Sequence, residues 1–418
     1  MLKKLQAVIG QQIDGMDEIE DSHSYFYGDN IAGDLFFTNG TLTQIQVDVQ
    51  ENEEYKATII EVKALAEKAV RVFDNRPLKL DVMIDFDTHY LAIFEQHDDK
   101  YSLPLPNTGA QISISYGGRL TSAIFYHPEI TVQYDELISA QEAKGILQRE
   151  DLMLLSIVDE PDWHYAYTAN HDIVGVNADG TVERLSHQPE LSKMGYDPLP
   201  KITSSLSFDT LLQGDQSNVI HEKNEDNDSI SYYLQPRWDR EETEGESVIV
   251  ENYSKQQLFE RACEVLHHLV GEEYHNYKLL RDDGIELLLK HAPFYIEMPS
   301  VQRVMTFQFV YFVEEIGLHF HPAEVYIDVE FATMESLSLY KLPYEKLKSL
   351  PQPIVSVEQA NAIAKGLVDV ELSFQRKDLE NNVYSLIYNM DYPPHEGNIE
   401  KIDAYTGEVN FIETGFIR

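Results

Sequence analysis

Four stretches of the chain place apolar residues three and four positions apart. Each opens on a hydroxyl residue followed three positions later by Glu or Gln. Thr58-Ile-Ile-Glu61 precedes Val62, Leu65, Val70 and Val72. Ser139-Ala-Gln-Glu142 precedes Ala143, Ile146 and Leu147. Ser254-Lys-Gln-Gln257 precedes Leu258, Phe259, Ala262, Leu266 and Leu269. Ser356-Val-Glu-Gln359 precedes Ala360, Ile363, Ala364 and Leu367. The spacing predicts four helices, each with one buried face. The opening residues predict capping boxes, in which Thr58, Ser139, Ser254 and Ser356 each accept from a free N-terminal N–H.

Strand-like sequence follows every helix. Tyr90–Phe94 and a hairpin over Ile112–Ile124, turning at Gly117-Gly118, follow the first. Trp163–Tyr167 and Ile173–Val182 follow the second. Thr306–Val313 and Ala323–Phe331 follow the third, and Val383–Tyr388 with Lys401–Phe411 follow the fourth. Strands also precede the first and third helices: a hairpin over Asp34–Val49 turning at Asn39-Gly40, and Ser229–Leu234 with Ser247–Val250. The closing hairpin turns at Thr406-Gly407. There Gly407 supplies a positive φ, while Asp403 and Thr406 hydrogen-bond the local backbone. Asp179-Gly180-Thr181 is the matching turn after the second helix.

This order predicts an α+β fold of duplicated modules, each a helix packed on an antiparallel β-sheet. The N-terminal half is residues 1–188, divided into a helix-sheet unit 1–130 and a shorter unit 131–188. Residues 189–204, rich in Pro and turn formers, form the expected linker. The C-terminal half is 205–418, divided into 205–345 and 346–418. Asn224–Asp228 and Asp239–Glu246 read as exposed acidic loops.

Composition narrows the partners. The 72 acidic residues against 32 basic ones leave a formal charge of −40. Nucleic acid and anionic membrane surfaces attract basic patches, so neither is an expected partner. The single cysteine, Cys263, excludes an intramolecular disulfide. It shares a helical face with Phe259, Leu266 and Val270, and reads as a small buried hydrophobe rather than a nucleophile. The segment Met1–Gly10 has two lysines but no apolar h-region, and no window approaches 18 apolar residues. A cytoplasmic location is therefore the expectation.

At this point the chain resembles a known family. Val-Ser-Val-Glu-Gln-Ala-Asn-Ala-Ile-Ala (355–364), the aromatic strand near 384–388 and Lys-Ile-Asp-Ala-Tyr-Thr-Gly-Glu-Val (401–409) are similar to the PepSY-like modules of the YcdB/YcdC repeated-domain proteins of Gram-positive bacteria. Ile-Ser-Ala-Gln-Glu-Ala (138–143) with Val-Asn-Ala-Asp-Gly-Thr-Val (176–182) looks like a second copy. Val-Glu-Glu-Ile-Gly-Leu (313–318) with Val-Tyr-Ile-Asp-Val (325–329) looks like part of a third. The resemblance implies a PepSY/cystatin-like fold for 131–188 and 346–418. It also implies a peptide or peptidase partner, because related modules occur in protease propeptides.

Candidate chemistry is sparse. His319 and His321 flank Phe320, and on a regular strand alternate side chains share a face, so both imidazoles would meet one metal ion. Glu314, Glu315 and Glu324 are close in sequence. His267 and His268 are neighbours on a helix and diverge by about 100°, which makes them poor co-ligands. Asp85-Phe-Asp87 and His97-Asp-Asp99 read as turn-forming acids. No His-Glu-x-x-His, Gly-x-Ser-x-Gly or P-loop is present. The expectation is a non-enzymatic binding or regulatory protein with a protein or peptide partner, with no catalytic residues and no cofactor. The alternative is a metal-binding protein or metal-dependent hydrolase using His319 and His321.

Overall fold

The computed structural model describes residues 1–10, 13–19, 22–27, 30–48, 56–86, 88–134, 136–160, 162–184, 195–202, 219–224, 229–234, 252–281, 304–378, 382–395, 397–414 and 416–417. The molecule is mixed α+β, with few helices and several antiparallel sheets. The N-terminal region contains α1 (Leu2–Ile9), β1 (Gly15–Ile19), β2 (Ser22–Tyr27), β3 (Asn30–Thr38), β4 (Thr41–Val47), α2 (Ile59–Phe73), β5 (Lys79–Asp85), β6 (His89–His97), β7 (Pro104–Ser115) and β8 (Leu120–Phe125). Its strands run in the order β1-β2-β3-β4-β8-β7-β6-β5. The 3.6-residue stripe of α2 buries Val62, Ala66, Ala69 and Val70 against Leu35, Ile45, Ile112 and Ile114.

The chain continues through β9 (Thr131–Val132), α3 (Ala140–Leu147), β10 (Met153–Val158), β11 (His164–Ala169), β12 (Ile173–Asn177) and β13 (Val182–Arg184). A seven-stranded sheet follows, built from β14 (Tyr196–Pro198), β15 (Val219–Asn224), β16 (Ser229–Leu234), β17 (Tyr277–Leu280), β18 (Val304–Val313), β19 (Ile316–Asp328) and β20 (Met334–Lys341). Against it lies α4 (Lys255–Val270), which buries Leu258, Ala262, Cys263 and Leu266. The chain ends with α5 (Tyr344–Lys348), α6 (Val357–Leu367), β21 (Asp369–Asp378), β22 (Val383–Asp391), β23 (Ile399–Asp403), β24 (Val409–Phe411) and β25 (Phe416–Ile417), the last of which pairs with β5. Of the stretch 189–204, residues 189–194, 203 and 204 lie outside the described residues, and Tyr196–Pro198 is the edge strand β14. Residues 225–228 and 235–251, which include most of the expected acidic loops and Ser247–Val250, also lie outside them.

The pairing of the last two sheets differs from an expectation of one sheet per segment. One sheet has the order β10-β11-β23-β24, and the other β13-β12-β22-β21 with β9 parallel to β22. Each takes two strands from residues 153–184 and two from 369–411. Helix α6 lies against β10, and α3 against both β21 and β12. The physical reason is that hydrophobic alternation fixes which face of a strand is buried, not which neighbour completes its ladder.

A large core joins these helices to α4 and the seven-stranded sheet, through Leu147, Ile157, Tyr167, Leu266, Phe309, Val325, Ala364 and Ile402. A smaller core holds β21 and β22 to the hairpin between β6 and β7, through Leu105, Phe374, Tyr384 and Leu386. The Tyr384 hydroxyl donates to the Pro106 carbonyl at 2.7 Å. Among the described residues, no helix is long and apolar enough to cross a membrane.

Candidate functional site

The paired sheets bring together the caps Ser139 and Ser356 and the turn residues Asp179, Gly180, Asp403, Thr406 and Gly407. The Ser139 hydroxyl accepts from the Glu142 N–H at 3.2 Å, and the Glu142 carboxylate accepts from the Ser139 N–H at 2.9 Å. That second bond holds the Glu142 carboxyl below its usual range. Ser356 and Gln359 make the same reciprocal pair at the start of α6, as do Thr58 with Glu61 and Ser254 with Gln257 elsewhere.

The residue before each of the two central caps is tied down twice. Ile138 N–H donates to the Ala178 carbonyl at 3.0 Å, and Val355 N–H to the Ala404 carbonyl at 2.9 Å. The Tyr388 hydroxyl donates to the Ile138 carbonyl at 2.7 Å, and the Tyr167 hydroxyl to the Val355 carbonyl at 2.6 Å. Each tyrosine thus reaches across from the other segment.

The turn residues close the same arrangement. Asp403 Oδ1 accepts from the Tyr405 N–H, the Thr406 N–H and the Thr406 hydroxyl at 2.9, 2.7 and 2.9 Å. Burial disfavours the charged form, but these bonds outweigh it and hold Asp403 below the usual carboxylate range. Asp179 Oδ1 accepts from the Thr181 hydroxyl and N–H at 2.7 and 2.9 Å, which lowers its pKa as well. Gly407, at φ +76°, faces Ile363 and Val355; Gly180, at φ +88°, faces Ile146 and Ile138. The glycines place each turn against the helix of its own segment.

The face of the second sheet away from α3 carries several polar side chains around the buried Ile387. Lys377 Nζ lies 2.7 Å from Glu183 Oε1 and donates to Asn177 Oδ1 at 3.0 Å. Asn389 donates to the Ser373 hydroxyl at 2.7 Å. Beside this network, β9 and β12 pair different parts of the same edge of β22. A cleft of roughly 720 Å³ opens there, lined by Glu136, Ile138, Asn177, Asp179, Lys377 and Ser385. Its lining carries one cation, Lys377, and two acids, Glu136 and Asp179, beside the apolar Leu137, Ala178 and Leu386.

The long edges of the two sheets are finished differently. Asn361 of α6 accepts from the Met153 N–H at 3.1 Å and donates to the Met153 carbonyl at 3.0 Å. It is only 4% exposed, so the outer edge of β10 is sealed at that point. The position equally far into α3 holds Lys144, which makes an ion pair with Asp369 Oδ2 at 3.4 Å instead. Neither side chain has a sequence signal of its own; only the folded arrangement shows their positions to be comparable.

The other candidates stand apart. The backbone of His319 and His321 belongs to β19, but their side chains lie outside the described residues. Phe309 pairs Ala323 and Tyr311 pairs Leu318, so the register of the ladder shifts between them. Glu314 accepts from Gln352, while Glu324 accepts from Gln308 and Tyr326. Asp85 accepts from the Tyr116 hydroxyl, and Asp87 lies outside the described residues. Asp98 accepts the N–H groups of Lys100, Tyr101 and Leu103, a turn-forming role. Burial pushes the Cys263 thiol up to about 12. Among the described residues, no three His, Cys, Asp or Glu side chains gather as a metal site would require.

The fold thus defines a mixed α+β protein of antiparallel sheets. No protein-family model matches the chain, and no curated protein matches it. Among solved structures the chain is similar to the Bacillus megaterium YpeB C-terminal domain, at 13% identity and a TM-score of 0.30. That match covers 44% of this chain and 94% of the other.

Proposed function

We propose that this is a non-enzymatic binding or regulatory protein whose segments 131–188 and 346–418 are a duplicated pair of PepSY-like modules that have exchanged strands. The observation that carries the reading is the reciprocity of the pair. Equivalent caps, turn glycines and tyrosine hydroxyls recur in both segments, and each helix covers strands of the other. Such an arrangement covers one face of each sheet with a helix and leaves edges, and a face carrying several polar side chains, available to a partner. The partner class is an extended peptide or a protein segment, which a sheet edge binds through main-chain hydrogen bonds.

The test is a binding screen of the full chain against an array of extended peptides. Saturable retention of a subset supports the reading. Uniform absence of retention, by a chain whose circular dichroism shows a folded sheet, overturns it.

A further inference from the structure

We infer that the outer edge of β21, over Asp369–Ser373, takes up an extended basic peptide segment as an added strand; this rests on the reading of the chain as a binding protein. The direction of the backbone groups follows from the ladder. Thr131 N–H donates to the Asn382 carbonyl and Gln133 N–H to the Tyr384 carbonyl, so the even-numbered residues of β22 address β9 and the odd-numbered ones address β21. In the register Ser373↔Ile387, the odd-numbered residues of β21 answer them. The N–H and C=O of Leu372, and the C=O of Val370, therefore point away from the sheet. The Val370 N–H is turned onto the Asp369 carboxylate at 2.9 Å.

No strand pairs this edge among the described residues. At the far end of β21, Phe374 is buried with Leu105 of β7, so the open span is the first half of the strand. In the other sheet, Met153 lies as far beyond its cap as Val370 does beyond its own, and there Asn361 takes both backbone groups. An unsealed edge is a template for strand addition. Lys144, in place of an asparagine, is held only by a partly exposed ion pair of the kind that contributes little and swings aside easily.

Charge selects the occupant. The open span carries Asp369, whose side chain is 47% exposed, and Glu371, also exposed, on a chain of net charge −40. A cation directly opposite Glu371 on an added strand lies within reach of it, whereas an acidic residue there is repelled. Half-buried Val370 and Leu372 offer apolar contacts on the alternate face. The occupant is therefore an extended segment with basic and apolar residues in alternation.

The experiment uses the full chain and a short fluorescent peptide of alternating Lys and Val. Its controls are a Glu/Val counterpart and a Lys/Val peptide N-methylated at alternate backbone nitrogens. The Lys/Val peptide is expected to bind, and both controls to bind at least about tenfold more weakly. Leu372→Pro removes an outward N–H without breaking the ladder to β22, and is expected to lower affinity by a similar factor. Should that variant fail to fold, Glu371→Lys carries the test, by losing the Lys/Val peptide and gaining the Glu/Val one. Equal binding of the methylated peptide, or unchanged binding to Glu371→Lys, overturns the edge site while leaving a binding function elsewhere intact. Failure of the Lys/Val peptide to bind overturns the inference, whereas the binding-protein reading falls only if the wider peptide array is also empty.

Discussion

The sheet β10-β11-β23-β24 and the sheet β13-β12-β22-β21 each draw strands from the same two segments, yet the edge of one is sealed at Met153 and the edge of the other is open over Asp369–Ser373. In the first, Asn361 spends its amide on the backbone of Met153, deep in the structure. In the second, Lys144 meets a carboxylate near the surface. The shared features are those that hold a helix on a sheet: a capped helix start, a glycine turn beneath it and a tyrosine hydroxyl under the residue before the cap. The features that differ are at the rim. The comparison teaches that the same contacts hold helix to sheet on both sides, whereas the finish of an edge is set by one side chain at the rim.

The largest effect expected to probe this comparison comes from the core. Ile402 on β23 and Val176 on β12 are fully buried in the same cluster, and each pairs with one of the bridging tyrosine strands, at Tyr167 and Tyr388 respectively. Ile402→Ala is expected to destabilise the fold by about 2–5 kcal/mol, and Val176→Ala by about 1.5–3 kcal/mol. Because each sheet takes strands from both 153–184 and 369–411, the two sheets are interdependent, and either variant is expected to unfold both in one transition. Denaturant unfolding followed by two local probes checks this. Separate transitions for the two sheets would break the equivalence.

The rim gives the next effect and the clearest contrast. Asn361→Ala leaves the Met153 N–H and carbonyl buried and unpaired, at an expected cost of about 1–3 kcal/mol. Lys144→Ala removes a partly exposed ion pair and is expected to cost about 0–1 kcal/mol. Equal costs would mean that the two edges are not finished differently in energetic terms.

How much of this was legible in the sequence depends on the range of the interaction. The four capping boxes and the two turns rest on residues a few positions apart, so the Ser139–Glu142 and Asp403–Thr406 patterns carry their own signal. The α+β class followed from helical spacing alternating with strand-like runs. Strand partners were not legible: nothing local in Val383–Asp391 says that Ile173–Asn177 will pair it across some two hundred positions. For the same reason nothing near Asn361 or Lys144 in the chain marks either as a residue at a sheet edge. The i, i+2 reading of His319 and His321 turns on side chains that lie outside the described residues.

The bridging hydroxyls test whether the two halves of the frame are balanced. Tyr167→Phe and Tyr388→Phe each delete one hydrogen bond and keep the ring, exposing the Val355 or Ile138 carbonyl as an unmet acceptor. Each is expected to cost about 0.5–1.5 kcal/mol, with near-additive effects if the two frames respond independently. A large cost for one and none for the other would show that only one segment depends on the hydroxyl that reaches it from the other.

The smallest effect is the dependence on acid, and it compares the two turns. Both Asp403 and Asp179 titrate below the ordinary 3.8, so each binds its proton more readily when the chain is unfolded. Their contribution is therefore complete at pH values above 3.8 and is lost as the pH falls through the folded-state value. Asp403 accepts three local hydrogen bonds in a partly buried turn, and Asp179 accepts two in a more exposed one. Asp403→Ala is thus expected to flatten the acid limb of the stability curve more than Asp179→Ala, with little difference between either variant's own slope and zero near neutrality. Chemical denaturation repeated from neutral pH down through the carboxylate range measures both slopes. If the two variants retain the full acid dependence of the parent, the turn carboxylates do not anchor their hairpins through charge. The frame would then rest on its caps, turn glycines, tyrosine hydroxyls and core, without a charge contribution from the turns.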